Sequence, residues 1–359
     1  MSTALPIVGI TMGDPAGNGP EITIKALADA TLYDRCRPLV VGDAKMLEQA
    51  KGFVGRPDIQ INPVHAVSEA KFEAGTIDVY QLDLIEDVAA FKIGQVSAEG
   101  GNAAFQSVKT VIELAMAGEV DATVTNALNK EAMNLALAPQ GMHFDGHTEI
   151  YATYTDTKKY CMMLAHHDFR VVHVSTHVSL AEACRRVKKD RVLEVIRLAD
   201  KACRDLGIEQ PRVAVAGLNP HCGEHGLFGT EEIDEIAPAI EAARAEGIDA
   251  IGPCPPDSVF SEMNGGWYDI TVCMYHDQGH IPTKVLGFRY NREKQGWDAV
   301  EGVNITLGLP IIRTSVDHGT GFALAGKGTS NELSLVNAID YALRMAAGRA
   351  ATAAAEATA

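Results

Sequence analysis

Imidazole serves a metal or a proton near neutral pH more readily than any other side chain. Four histidines of this sequence occupy comparable places. His177, His221, His276 and His318 each follow closely on a short run of apolar and β-branched residues, 170–175, 212–216, 270–274 and 311–316. Neutral ring nitrogens ligate Zn²⁺ and related ions, and three of them with an open coordination position make a catalytic rather than a structural metal site. His177, His221 and His276 are the candidates for one shared ion. Separately hydrogen-bonded loop or core histidines are the other reading, and the long, unequal spacing leaves both open. His65, His143, His166, His167, His173 and His225 lack that placement and read as structural or surface residues.

Other polar residues have chemistry of their own. Gly146-His147-Thr148-Glu149 offers an imidazole and a hydroxyl side by side, or a helix start capped by His147 or Thr148. Asp257, Lys284 and Asn304, taken singly, read as solvated or paired residues. Arg313 differs, because an arginine within the apolar stretch 309–316 is buried only if it meets an anion. A phosphate or carboxylate substrate would serve, and so would an internal Asp or Glu. Gly13-Asp-Pro-Ala-Gly17-Asn-Gly19-Pro-Glu21 leads into a helix and fits either a phosphate-holding loop or a tight structural turn. No G-x-G-x-x-G fingerprint is present. Gly321 to Gly328 has the glycine and lysine spacing of a P-loop, but Gly328 stands where the Mg²⁺-binding hydroxyl belongs, so a helix-approach glycine cluster is the better reading.

The elements that must position these residues are strands at 6–11, 38–41, 122–125, 170–175, 212–216, 270–274 and 311–316, with helices at 103–117, 179–206 (broken near Lys189), 231–246 and 331–347. Their alternation predicts an α/β chain of largely parallel sheets with helices on both faces, its ligands beyond the carboxyl ends of the strands. A length of 359 residues suggests two domains. A net charge of −16, with no Lys/Arg block, argues against nucleic-acid binding. Seven scattered cysteines without a C-x-x-C pair fit neither a disulfide framework nor a cysteine zinc site. No apolar run is long enough to span a bilayer, no signal sequence is visible, and a cytoplasmic setting is expected. Residues 349–359, rich in Ala and Thr without periodicity, are expected to form a flexible tail.

Five ordered blocks then resemble one family. They are Gly13 to Glu21, Gly146-His-Thr-Glu149, Gly217-Leu-Asn-Pro-His221-x-Gly-Glu224, Tyr275-His-Asp-Gln-Gly279 and Val303 to Thr320. Together they resemble the 4-hydroxythreonine-4-phosphate dehydrogenase family of vitamin B6 (pyridoxine) biosynthesis. The resemblance implies a homodimer of two α/β domains, similar to isocitrate and isopropylmalate dehydrogenases, with the active site in the interdomain cleft. The domains implied are 1–126 with 305–348, and 127–304 carrying dimer contacts. It implies NAD or NADP and a divalent metal (Zn²⁺, Mg²⁺ or Co²⁺) as cofactors. It also implies His177, His221 and His276 as metal ligands in a site shared between subunits, and His147, Thr148, Lys284, Asn304 and Arg313 as the substrate-binding set. Asp257 matches another active-site position of the family, and on chemical grounds Lys284 or Asp257 is expected to relay the proton, Lys284 being the more adaptable. The expected activity is oxidation of a secondary alcohol in a small 4-phosphorylated hydroxy acid to a 3-keto acid that decarboxylates. Two features depart from the biosynthetic pattern: His280-Ile-Pro282 before Lys284, and an added loop at 289–301. They favour, as the alternative, a paralogue acting on D-threonate or D-erythronate 4-phosphate or on a cis-dihydrodiol carboxylate. In the added loop, Tyr290 and Trp297 are candidates for a lid or, equally, for packing of an exposed loop against the partner subunit. A metal-dependent hydrolase is the rival from another class.

Overall fold

The apolar runs punctuated by Gly, Pro and Asp fold as strands, and the amphipathic stretches between them as helices. In the computed structural model, which describes residues 4–293 and 296–356, the order is as follows. β1 (Ile7–Thr11), α1 (Gly19–Leu27), β2 (Arg37–Gly42), α2 (Ala44–Val54), β3 (Gln60–Val64), β4 (Thr76–Gln81), α3 (Ala98–Met116), β5 (Ala122–Thr125), α4 (Lys130–Leu137) and α5 (His147–Tyr154) come first. Then come β6 (Cys161–His166), β7 (Phe169–His173), α6 (Leu180–Arg186), α7 (Lys189–Asp205), β8 (Arg212–Ala216), α8 (Ala237–Ala245), β9 (Asp249–Cys254), α9 (Val259–Asn264), β10 (Ile270–Cys273) and α10 (His276–Gly287). β11 (Phe288–Asn291), β12 (Gly296–Val300), β13 (Val303–Leu307), β14 (Arg313–Val316) and α11 (Leu333–Glu356) complete the chain.

The chain divides into two compact units, Met1–Thr157 with Leu309–Ala346, and Lys158–Gly308 with Ala347–Ala359. This boundary lies beyond the one drawn from the sequence at residue 126, because α4 and α5 pack on α3. In the first unit the strand order is β3-β4-β2-β1-β5-β14, every pairing parallel. Its core joins Leu39 and Val41 to Phe105, Val108 and Ile112 of α3 and to Tyr151 of α5. Strands buried on both faces explain why these segments read as continuous apolar runs.

In the second unit the order is β13-β6-β7-β10-β8-β9. β13, β6 and β7 pair antiparallel, while β7, β10, β8 and β9 are parallel. The expected break near Lys189 falls between α6 and α7. Within the stretch expected to be a tail, α11 continues to Glu356, and residues 357–359 lie outside the described residues. Alanine is the strongest helix former, and Arg349 Nε donates to Asp205 Oδ2 at 3.1 Å, so this stretch has both propensity and an anchor. The added loop folds as the β11–β12 hairpin. The side chains of Tyr290 and Trp297 lie outside the described residues.

Candidate active site

β7, β10 and β8 lie side by side and run the same way, so their carboxyl ends share one edge of the second unit's sheet. His177, His276 and His221 follow those three ends. The rings of His177 and His276 stand 5.6 Å apart, centroid to centroid. They face a cavity of about 450 Å³ that Thr176, Ser179, Tyr275 and Asp277 also line. His276 is fixed from its flank, because its Nδ1 lies 2.7 Å from Asp277 Oδ1. A carboxylate in that position selects the tautomer that leaves Nε2 available, as metal-binding histidines require.

His221 arrives on an unusual turn. Residues 221–225 all have positive φ, from 45° at Glu224 to 78° at Gly223. For the four residues other than glycine this costs roughly 1–2 kcal/mol each. The turn is held by Glu232, buried below it, whose Oε1 accepts the Leu218 and Asn219 backbone N–H groups at 2.7 Å and whose Oε2 accepts Asn219 Nδ2 at 2.9 Å. His221 Nδ1 stands 3.8 Å from Asp257 Oδ2. The structure therefore pairs His177 with His276 and His221 with Asp257. It does not close the three histidines into one ligand set: among the described residues, only His166, His167 and Glu301 bring three ligand atoms within 4.8 Å of one another.

α10 carries more of this site than its sequence suggests. His276, His280 and Lys284 are spaced four apart and so share one face of the helix. His280 Nδ1 lies 2.9 Å from the His276 carbonyl oxygen, and the two rings stack at 3.6 Å. His173 of β7 stands behind them, 4.7 Å from His280. Gly279 makes this possible, since a Cβ there would meet His173 Nε2 at 2.5 Å. Burial depresses both hidden imidazoles, His280 to about 3 and His173 to about 4, so each is neutral. Lys284 Nζ lies 4.6 Å from the Phe288 ring centroid, and Asn304 on β13 donates from Nδ2 to Met162 Sδ at 2.9 Å.

The first unit gathers the anion-binding candidates. Arg313 opens β14 beside β5, fully buried, and donates to Thr125 Oγ1 at 3.0 Å with its guanidinium over the Tyr151 ring. Burial lowers its pKa to about 10, with Tyr151 and Glu149 opposing that shift. His147 and Thr148 form the first turn of α5, with Gly146 rather than either of them at the N-cap. His147 is held well below the usual imidazole range by burial first and Arg313 second, and its buried Nε2 has no hydrogen-bond partner. Such an orphaned buried atom beside a buried cation and a helix N-terminus fits an anionic ligand group.

Two glycine loops resolve toward structure. In the 13–19 turn the amides of Ala16, Gly17 and Asn18 donate to Asp14 Oδ1, Asp14 O and Thr320 O, so they are already used. In the P-loop-like stretch the amides of Gly326 and Gly328 donate to the Glu21 carboxylate where a phosphate would sit.

Comparison with known proteins follows the same lines. Residues 34–342 match the family described as pyridoxal phosphate biosynthetic protein PdxA. The D-threonate 4-phosphate dehydrogenase of Cupriavidus necator is 44% identical over 351 residues, 98% of this chain and 100% of that protein. The crystal structure of 4-hydroxythreonine-4-phosphate dehydrogenase from Klebsiella pneumoniae is 42% identical, with a TM-score of 0.82 over 95% of this chain and 99% of its own. A terephthalate 1,2-cis-dihydrodiol dehydrogenase from Burkholderia xenovorans is 28% identical, with a TM-score of 0.64 over 95% and 98%.

Proposed function

Because the chain belongs to the pyridoxal phosphate biosynthetic protein PdxA family, we propose that it is a dehydrogenase that oxidises the secondary alcohol of a four-carbon, 4-phosphorylated hydroxy acid. D-threonate 4-phosphate is the first substrate to test and 4-hydroxythreonine 4-phosphate the second. Relatives named for them share 44% and 42% of their residues with this chain, against 28% for the dihydrodiol enzyme. The observation that carries the reading is the delivery of three histidines to one sheet edge by adjacent parallel strands.

His177, His221 and His276 would hold a divalent ion (Zn²⁺, Co²⁺ or Mg²⁺), and imidazole donors favour the first two. Such an ion would supply the positive charge that lowers the pKa of a carbinol hydroxyl, and a bound NAD or NADP would supply the hydride acceptor, the product being a 3-keto acid prone to lose CO₂. Asp277 and His280 orient His276, and Glu232 fixes the turn that presents His221. Lys284 takes the hydroxyl proton, with Asp257 beside His221 as the second acid–base group. Arg313, His147 and Thr148 bind the anionic end of the substrate, and Asn304 a hydroxyl. A neutral imidazole has one donor and one acceptor nitrogen, and because His147 gives one of them to the Asn126 backbone, Nε2 alone is left for the ligand.

A homodimer is part of the proposal, supported by Ile281 and Val285, one turn apart on α10 and both exposed. A cytoplasmic setting is supported by seven free cysteines. Production of reduced nicotinamide, followed by absorbance with each acid, each cofactor and each ion, tests the reading. Turnover of a phosphorylated four-carbon acid is expected, and silence across the panel would overturn it.

A further inference from the structure

β6 and β7 are joined by a two-residue turn, His167-Asp168, as the pairing of His166 with Phe169 shows. His167 adopts φ 50°, a left-handed conformation that hairpin turns ordinarily give to Gly, Asn or Asp. A residue that breaks a local rule invites a functional explanation. β13 pairs antiparallel with β6, Val303 opposite Ala165, and continuing that register past the strand brings Glu301 level with His167. Glu301 Oε2 lies 3.3 Å from His167 Nε2 and 3.8 Å from His166 Nδ1. The two imidazole rings are 4.5 Å apart, and the three ligand atoms all fall within 4.8 Å of one another. Tetrahedral bonds of about 2 Å separate ligand atoms by about 3.3 Å, so the His167–Glu301 pair already has that spacing and His166 would have to draw in to reach it.

We propose that His166, His167 and Glu301 form a second divalent-metal site, separate from the strand-end histidines. Two imidazoles and one carboxylate select Zn²⁺, Co²⁺, Ni²⁺ or Cu²⁺ over Mg²⁺ and Ca²⁺, which prefer all-oxygen shells. His167 is exposed, so water can complete the shell. Glu301 directly follows β12 and precedes β13, so an ion here ties the base of the β11–β12 hairpin, and the strand bearing Asn304, to the β6–β7 turn.

Calorimetric titration of tag-free, metal-stripped protein with Zn²⁺ and with Co²⁺ tests the site, with stoichiometry rather than activity as the readout. The double variant His167→Ala/Glu301→Gln is expected to bind one equivalent fewer per chain than the wild type, or to bind that equivalent at least about tenfold more weakly. His221→Ala/His276→Ala should retain that same equivalent, so the result does not depend on the proposed catalytic ion. Equal stoichiometry and affinity in the wild type and the His167/Glu301 variant, with both folded by circular dichroism, would overturn the site and leave the cluster an ion pair.

Discussion

Burial of Arg313 is costly, since its pKa falls to about 10, and the expense has a purpose if the guanidinium meets a substrate anion. Arg313→Ala is therefore expected to raise KM for the phosphorylated acid about 100-fold while leaving KM for the nicotinamide within about twofold, as loss of a charge-assisted pair implies. Steady-state kinetics with each substrate varied in turn separates this from a structural role, which would move both. Lys284 makes a different prediction. If it is the proton acceptor, its replacement by Met should lower kcat about 100-fold or more with little change in KM. A kcat within about twofold of the wild type would instead make Asp257 the proton acceptor.

Glu232 belongs to the scale of elements, because it acts on the turn rather than on the substrate. Its two oxygens accept three N–H donors, so Glu232→Gln sets an amide NH₂ against one of them. We expect metal affinity to fall about 10–100-fold with circular dichroism retained; unaltered affinity would mean that His221 needs no such support. The strands at 122–125 and 212–216 were legible to the residue, because buried parallel strands leave an unbroken apolar run between turn residues. α10 was not legible, since Gly279 and Pro282 contradict helix propensity. Contact with β7 overrides that propensity, and the resulting His280 and His173 layer was missed. The spacing of His276, His280 and Lys284 was the signal available. Glu232 was missed as well, because a buried carboxylate that satisfies distant amides leaves no local pattern.

The whole molecule should feel these buried groups through pH. His147, His173, His280 and His318 all have pKa values depressed by burial, so below about pH 6.5 the unfolded chain binds protons that the folded one refuses. Asp14, raised to about 6 by burial, acts in the opposite sense, taking up a proton in the folded state first. Four groups against one leave the metal-free protein losing stability as pH falls from 6.5 toward 4.5. Urea midpoints measured across that window check the sign, and a constant or rising midpoint would contradict it. The net charge of −16 adds that an anionic substrate is drawn by local groups such as Arg313 and not by the overall field.

The central claim is that His177, His221 and His276 serve one ion on which alcohol oxidation depends, and reduced-nicotinamide formation from D-threonate 4-phosphate and 4-hydroxythreonine 4-phosphate by stripped and metal-restored protein addresses it most directly. Turnover should vanish on chelation, return with Co²⁺ or Zn²⁺ in the wild type, and fail to return in folded His221→Ala and His276→Ala. Undiminished rates in the stripped enzyme, or full recovery in either variant, would contradict the account.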